Sequence, residues 1–266
     1  MDRMTEPRTH TKDLGQRFNQ LFELTLALEN ASLEEVFRIR HDVYCRDLAW
    51  EPIRDDGREV DEFDSHSVHC LLSRRGTGEA VGCTRVILAR PEDPGYRLPF
   101  EESCRDVLDL SIADPQRMSR TSLGEVSRLA VLKGFRRRKG EEDVPASMNE
   151  NDFAPHDQQD RFPFIPVSLY LGAAAVARQL EIEHLFVLTE PRLASHFARI
   201  GFDIRSVGGP IEHHGTRIPS LLSSSKVVQG LRPMLRPLYE VIAQAVEQAF
   251  QAHPDTPAWL SSKRAK

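Results

Sequence analysis

Residues 124–140 constrain this chain more than any other stretch. They read Gly-Glu-Val-Ser-Arg-Leu-Ala-Val-Leu-Lys-Gly-Phe-Arg-Arg-Arg-Lys-Gly. In the first half the apolar Val126, Leu129 and Val131 are interleaved with the polar Glu125, Ser127 and Arg128, the pattern of a half-buried strand. The second half is a run of cations, Arg136, Arg137, Arg138 and Lys139, closed by Gly140. An apolar helix follows after the polar stretch 141–165. A strand that runs into a basic, glycine-ended turn ahead of a helix is suited to hold a phosphate. Backbone N–H groups point at the anion, the helix dipole favours it, and the cations neutralise it.

The rest of the chain arranges itself around that unit. Residues 1–18 are polar and read as a loose N-terminal arm. Phe22, Leu24, Leu26 and Leu28 alternate with polar or small residues, which predicts a strand. Ser32-Leu-Glu-Glu35 is a capping-box pattern, so a helix is expected from Leu33 to about Cys45. A long acidic loop over 46–67 precedes a hairpin with arms at His69–Ser73 and Ala80–Ala89. A short helix is expected within 104–118 and a strand over 123–132. The acidic, amide-rich stretch 141–165 reads as a mobile insertion. Pro166 is suited to open a helix that runs to Leu180. Then come a strand at His184–Thr189, a helix at Arg192–Ile200 stopped by Gly201, strands at Phe202–Val207 and Thr216–Leu222, and an amphipathic helix at Pro237–Ala252. The order predicts an α/β (α+β) domain over 19–226 with a mixed, mostly antiparallel sheet, followed by a C-terminal helix and tail over 227–266.

Bulk properties narrow the function. The 266 residues carry a net charge of −5, which does not suit a nucleic-acid binder. No run approaches the roughly 20 apolar residues of a membrane span, and the first twenty residues are polar, so a cytoplasmic, soluble protein is expected. Cys45, Cys70, Cys83 and Cys104 show no C-x-x-C pair and read as reduced structural thiols. His66 and His69 beside Cys70 lack further ligands at useful spacing, so no metal is expected. His213 and His214 read as surface residues of a turn. No Gly-x-Ser-x-Gly elbow is present, which argues against a covalent serine route.

The remaining signal lies in polar residues on elements that must pack together. They are Arg40, ten positions before Trp50, then Asp61, Asp64, Arg85, Glu125, Ser127 and Arg128. Fork-to-carboxylate pairing among them would orient both partners, either as an ion-pair network fixing a loop to the sheet or as a site.

Taken together, Arg40-x-x-x-Tyr44, Trp50 ten residues after the arginine, Asp61-x-x-Asp64, Arg85 and Glu125-x-Ser127-Arg128 resemble the acyl-homoserine-lactone synthases of the LuxI type, an offshoot of the GNAT N-acyltransferase fold. The longer pattern is Arg-His-Asp-Val-Tyr-Cys at 40–45, Asp-Glu-Phe-Asp-Ser-His-Ser at 61–67 and an extended tail. It is similar to acyltransferases associated with the PEP-CTERM/exosortase protein-sorting system. The resemblance covers about residues 20–225. The chain departs from the lactone synthases in having Tyr44 where they have Phe, in the insertion at 141–165, and in the extra C-terminal helix.

The resemblance implies an enzyme that transfers a fatty-acyl group from a thioester carrier, acyl-CoA or acyl carrier protein, to a small amine. A signal synthase making an acyl-homoserine lactone or N-acyl amino acid, and a non-catalytic acyl-carrier- or lipid-binding protein, are the alternatives. No permanently bound cofactor is implied. Strands 123–132 and 184–189 would splay to admit the pantetheine, with backbone amides beside Leu129, Ala130 and Val131 as oxyanion donors. Arg136 to Gly140 would take the phosphate. Gly140 is followed by Glu141, so only part of the usual Arg/Gln-x-x-Gly-x-Gly signature is kept, which suits a carrier protein as well as coenzyme A. Glu125 is the first candidate base and Ser127 a proton shuttle. Arg40, Trp50, Asp61, Asp64, Arg85 and Arg128 would shape the acceptor pocket.

Overall fold

In the computed structural model, residues 13–93, 95–136 and 162–254 are described. The strands are β1 (Phe22–Leu26), β2 (Ser67–Arg74), β3 (Ala80–Leu88), β4 (Leu123–Val131), β5 (His184–Thr189), β6 (Ile204–Ser206), β7 (Ile211–Glu212) and β8 (Thr216–Ser223). They form one sheet in the order β1-β2-β3-β4-β5-β8-β6, with β7 paired to β8. Every neighbouring pair is antiparallel except β4–β5. That exception follows from the connection between them, which contains the helix α4 (Phe164–Gln179), because parallel neighbours need a crossover.

Nearly all of α4 is apolar, and it is buried between the sheet and the C-terminal helix α7 (Arg236–Ala252). Leu238, Ile242, Val246 and Phe250 form the buried stripe of α7 at the expected helical spacing. The opposite face of the sheet carries α2 (Asn30–Arg40), whose Val36, Phe37 and Ile39 pack with Cys83 and Ala130. A third cluster forms where Phe100 of α3 (Pro99–Ser103) stacks on Phe186 of β5, centroids 3.9 Å apart. The helix α5 (Pro191–Ile200) ends at Gly201 with φ 96°, the left-handed cap its sequence predicts. A side chain there would also run into the Gly230 carbonyl, 2.0 Å from where its Cβ would lie.

The structure corrects several local expectations. Residues 14–21 form a helix, α1, capped by Asp13 and packed on α7; the other residues of the expected arm, 1–12, lie outside the described ones. Polar composition hid the Leu14–Phe18 contact pair, which gains its burial from an element more than 200 residues away. The helix expected at 104–118 sits instead at α3, with Pro99 as its first residue. Helix α4 starts two residues before Pro166. Ser223 caps a further short helix, α6 (Ser224–Gly230). The insertion 141–165 lies largely outside the described residues.

Helix α2 starts earlier than Leu33 and does not stop as a regular helix. Ser32 sits inside it, at the third residue, with its hydroxyl bonded back to the Glu29 carbonyl at 2.9 Å. From His41 to Asp47 the chain widens into a π-helical turn, closed by Leu48 N–H donating to the Val43 carbonyl at 3.0 Å. Arg40 ends the regular helix and Tyr44 lies in this turn, and such turns are often found at functional sites.

Candidate active site

Ladder pairing between β4 and β5 runs from Leu123↔His184 to Val126↔Val187 and goes no further, although β4 continues to Val131 and β5 to Thr189. The two strands therefore part at Ser127. On the other side of β4, a bulge interrupts pairing with β3 between Cys83 and Arg85, and Arg128 adopts φ 52°. A non-glycine residue in the left-handed region is uncommon, and strain of that kind collects at functional sites. Here the bulge turns Arg128 toward Glu59. Its Nη2 lies 3.1 Å from Glu59 Oε1 and 3.1 Å from Asp61 Oδ2. The guanidinium also lies 5.6 Å over the Tyr44 ring.

Past the bulge, the Leu132 N–H returns to the Val81 carbonyl at 3.0 Å. Strand alternation then turns the amides of Leu129 and Val131 toward the edge that β5 has left. The Leu129 carbonyl accepts from the Tyr44 hydroxyl at 2.8 Å. Ala130 pairs with Cys83 of β3, so its amide is not one of the freed ones.

The loop before β2 supplies the carboxylates. Asp61 caps a short 3₁₀ turn by accepting from Phe63 N–H at 3.0 Å, and Asp64 Oδ2 accepts from Asp61 N–H at 2.8 Å. The Asp-x-x-Asp spacing is thus a reciprocal cap as well as a charge pair. Arg85 on β3 takes both Asp61 oxygens, at 2.6 and 2.7 Å, and Asp64 Oδ1 at 2.6 Å. Arg40, fully buried, pairs through Nε with Glu59 and through Nη1 with Asp64 at 2.5 Å. The arginines hold Asp64 well below the usual carboxylate range against the penalty of burial, and they depress Glu59 and Asp61 as well. Buried His69, 3.6 Å from Asp64, is driven down to about 3 by burial and the two arginines, so it stays neutral.

Glu125 stands apart from this network. It is buried, and one carboxylate oxygen accepts from Phe100 N–H at 2.9 Å. No other hydrogen bond to it occurs among the described residues, and the side chain lines the cleft. Burial pushes it up to about 7, partly opposed by the Phe100 amide and by Arg85 and Arg128. A carboxyl group poised there can exchange a proton at neutral pH. Ser127, expected as a shuttle, has its hydroxyl oxygen bonded by Arg85 Nε at 2.9 Å.

These groups border a cleft of about 270 Å³ that passes through the gap between β4 and β5. On one side lie Trp50, Asp61, Arg85, Glu125, Ser127 and Arg128; on the other Val126, Tyr170, Val187 and Leu193. Val126, Tyr170 and Val187 also border a small apolar cavity of about 20 Å³ behind the sheet, closed by Ala173, Ala174 and Phe197.

All eight residues expected to be catalytic fall within this region. Arg40 and Asp64 lie behind its wall in the ion-pair network, and the other six line the cleft. Of the expected carrier site, Leu129 lines the cleft, and Arg136 is tied to Asp47 of the π-helical turn. Arg137, Arg138, Lys139 and Gly140 lie outside the described residues.

Two groups were not anticipated at the site. Glu59 bridges Arg40 and Arg128, and only its place two residues before Asp61 hinted at it. His213 and His214 are exposed in the turn between β7 and β8, as expected, and they also border the cleft. His214 stacks on Trp50 at 4.7 Å and 9°, and Arg217 beside it bonds Glu190 at 2.8 Å. Among the described residues, no cluster suits a metal ion and no helix is long and apolar enough to cross a membrane. The four thiols are free and buried.

Residues 39–144 match the family model described as an acetyltransferase (GNAT) domain. The fold is that of the GNAT acyltransferases. An acyl-homoserine-lactone synthase of Vibrio anguillarum is 27% identical over 107 residues, which is 40% of this chain and 51% of that protein. The chain spans about half the length, or less, of the curated relatives it matches. The CoA-dependent acyl-homoserine lactone synthase BjaI, solved with SAM and isopentyl-CoA, superposes with a TM-score of 0.54 at 18% identity, covering 84% of this chain and 90% of that one. FeeM, an N-acyl amino acid synthase from uncultured soil microbes, superposes with a TM-score of 0.50 at 13% identity, covering 79% and 94%.

Proposed function

We propose that this chain is an N-acyltransferase that moves an acyl group from a thioester, acyl-CoA or acyl carrier protein, to the amine of a small acceptor. The observation that carries the reading is the cleft itself. It sets a chamber of charged and aromatic groups beside an apolar cavity, with Val126, Tyr170 and Val187 bordering both, where β4 and β5 part. A thioester lying in that gap would place its acyl chain behind the sheet and present its carbonyl carbon to an amine in the charged chamber.

In this reading Glu125 takes a proton from the attacking ammonium or amine. The nitrogen bonds to the carbonyl carbon and the oxyanion is held by the amides of Leu129 and Val131. The C–S bond then breaks, and the departing thiolate takes up, directly or through water, the proton that Glu125 received. Glu51 borders the chamber and suits a cationic acceptor. SAM, the ligand of the BjaI structure, has both an amine and a cationic centre. The Trp50–His214 stack keeps the cleft small, which favours a second reading with a free amino acid as acceptor. The PEP-CTERM/exosortase setting rests on the motif resemblance alone.

The apolar cavity bears on the length of the acyl chain. At about 20 Å³ it is nearly filled, and a long chain would require Tyr170 and Phe197 to move. The space left is about that of one water molecule, so every acyl chain needs these side chains to move; a donor of about four or five carbons, which needs less movement, is expected to release thiol at least tenfold faster than one of ten or more. The test incubates the purified chain with butyryl-, isovaleryl-, octanoyl- and dodecanoyl-CoA, and with the same groups on acyl carrier protein. Each is paired with SAM or with the free amino acids, and thiol release is followed. Release with SAM selects the lactone-synthase type and release with amino acids the second reading. Absence of release from every pair would refute the enzyme.

A further inference from the structure

Tyr170 is a polar group for which neither the ion-pair network nor the reaction above has a role. It sits on α4, on the face of the sheet opposite Glu125. Its ring is packed edge-on against Phe197, centroids 4.3 Å apart at 88°, and the residue is only 9% exposed. It borders both the cleft and the apolar cavity, so it stands where the two meet. No hydrogen bond to its hydroxyl occurs among the described residues. The hydroxyl oxygen keeps access to the cleft, where the carbonyl of a bound group could accept from it.

The surroundings of the hydroxyl fix what it can do. Glu190, Tyr44 and Arg217, all of the cleft wall, are the charged or titratable groups that act on it. Burial and the Glu190 carboxylate raise its pKa well above the usual phenol range. A phenol in that state keeps its proton: it is a donor and not a base. It is also too weak an acid to protonate a departing thiolate, whose ordinary pKa is about 8.5. A developing oxyanion is the acceptor that suits such a donor.

We propose that Tyr170 Oη donates a hydrogen bond to the oxygen of the thioester carbonyl as it becomes the tetrahedral oxyanion, completing from the α4 side a hole whose other donors are backbone amides of β4. The inference rests on the acyl-transfer reading. In the addition step the amine nitrogen forms its bond to carbon, the carbonyl π pair moves onto oxygen, and the phenol proton stays on Tyr170 throughout. When the C–S bond breaks, the pair returns from oxygen and the hydrogen bond weakens.

Tyr170→Phe keeps the ring and its packing on Phe197 and removes only the donor. With the donor–acceptor pair that the wild-type chain turns over fastest in the panel above, kcat is expected to fall about 100-fold with KM for the thioester changed less than threefold. The wild-type rate in the same assay tests the acyltransferase reading separately from this one. A kcat within threefold of wild type would overturn the role of Tyr170.

A second measurement does not depend on turnover. The thioester carbonyl of isovaleryl-CoA, labelled with carbon-13, is followed by infrared difference spectroscopy on the bound complex. Its stretch should lie lower in the wild-type chain than in Tyr170→Phe, and lower still with 3-fluorotyrosine at 170, a stronger donor. A frequency that is the same in all three proteins would show that the hydroxyl does not reach the oxygen and would also overturn the proposal.

Discussion

Glu125→Gln is expected to make the protein inactive and more stable at once. Loss of the proton acceptor should lower kcat at least 100-fold. The stability gain follows from linkage. The folded chain holds the Glu125 proton more tightly than the unfolded one, about 7 against an ordinary 4.5. Its contribution to stability is therefore best below the unfolded value and declines as pH rises to about 7. The full penalty, on the order of 3 kcal/mol, is present above that pH. Gln carries no such penalty. At pH 8 the variant should melt roughly 6–12 °C higher than the wild type, and at pH 4 the two should melt together. Activity of the wild type should rise with pH through about 7 for the same reason. A variant that melts lower at pH 8, or keeps its activity, would remove Glu125 from the role of base.

Arg40→Met is expected to have the largest effect in the opposite direction. Arg40 is fully buried and bonds Glu59 and Asp64. Its removal leaves Asp64 to Arg85 and Glu59 to Arg128, with two buried carboxylates short of positive charge. Breaking a buried pair in this way costs about 3–5 kcal/mol, or roughly 10 °C in Tm for a chain of this size. The sign with pH is the reverse of that for Glu125. Glu59 and Asp64 have depressed values in the fold, so they stabilise it above the ordinary carboxylate range and the benefit is lost as pH falls. The gap between wild type and variant should therefore narrow below about pH 4. Differential scanning calorimetry at pH 7 and pH 3.5 tests this; a Tm change under 2 °C at pH 7 would show that the network is not held through Arg40.

Opposite pH signatures within one site separate two kinds of carboxylate. Asp61, Asp64 and Glu59 are neutralised by three arginines and hold the loop before β2 to the sheet. Glu125 is paired with a single backbone amide and left close to neutral pH. The first kind fixes geometry, and the second is available for chemistry.

Much of the fold was legible because its determinants are local. β4 and β5 alternate or run apolar over the length of a strand, and α7 repeats Leu238, Ile242, Val246 and Phe250 at helical period. Gly201 stops its helix through a backbone angle that glycine alone adopts readily. Asp61 and Asp64 stood out as carboxylates able to pair with arginine, while their capping of a turn emerged only in the structure. The helix α1 was hidden because its burial comes from α7, and the stretch 104–118 because its Pro, Asp and Ser content suits turns and helix starts equally.

The sequence by itself determined which residue types this protein would use, a strand that carries Glu, Ser and Arg and a loop that carries paired Asp, because those patterns are written in neighbouring positions. Only the tertiary structure decided what each of them does. Glu59, His214 and Tyr170 come from three distant segments and acquire meaning from the gap between β4 and β5, where ladder pairing ends at Val126. Burial, which no single stretch encodes, is what raises Glu125 while arginine pairing lowers Asp64, two carboxylates that look alike in the sequence.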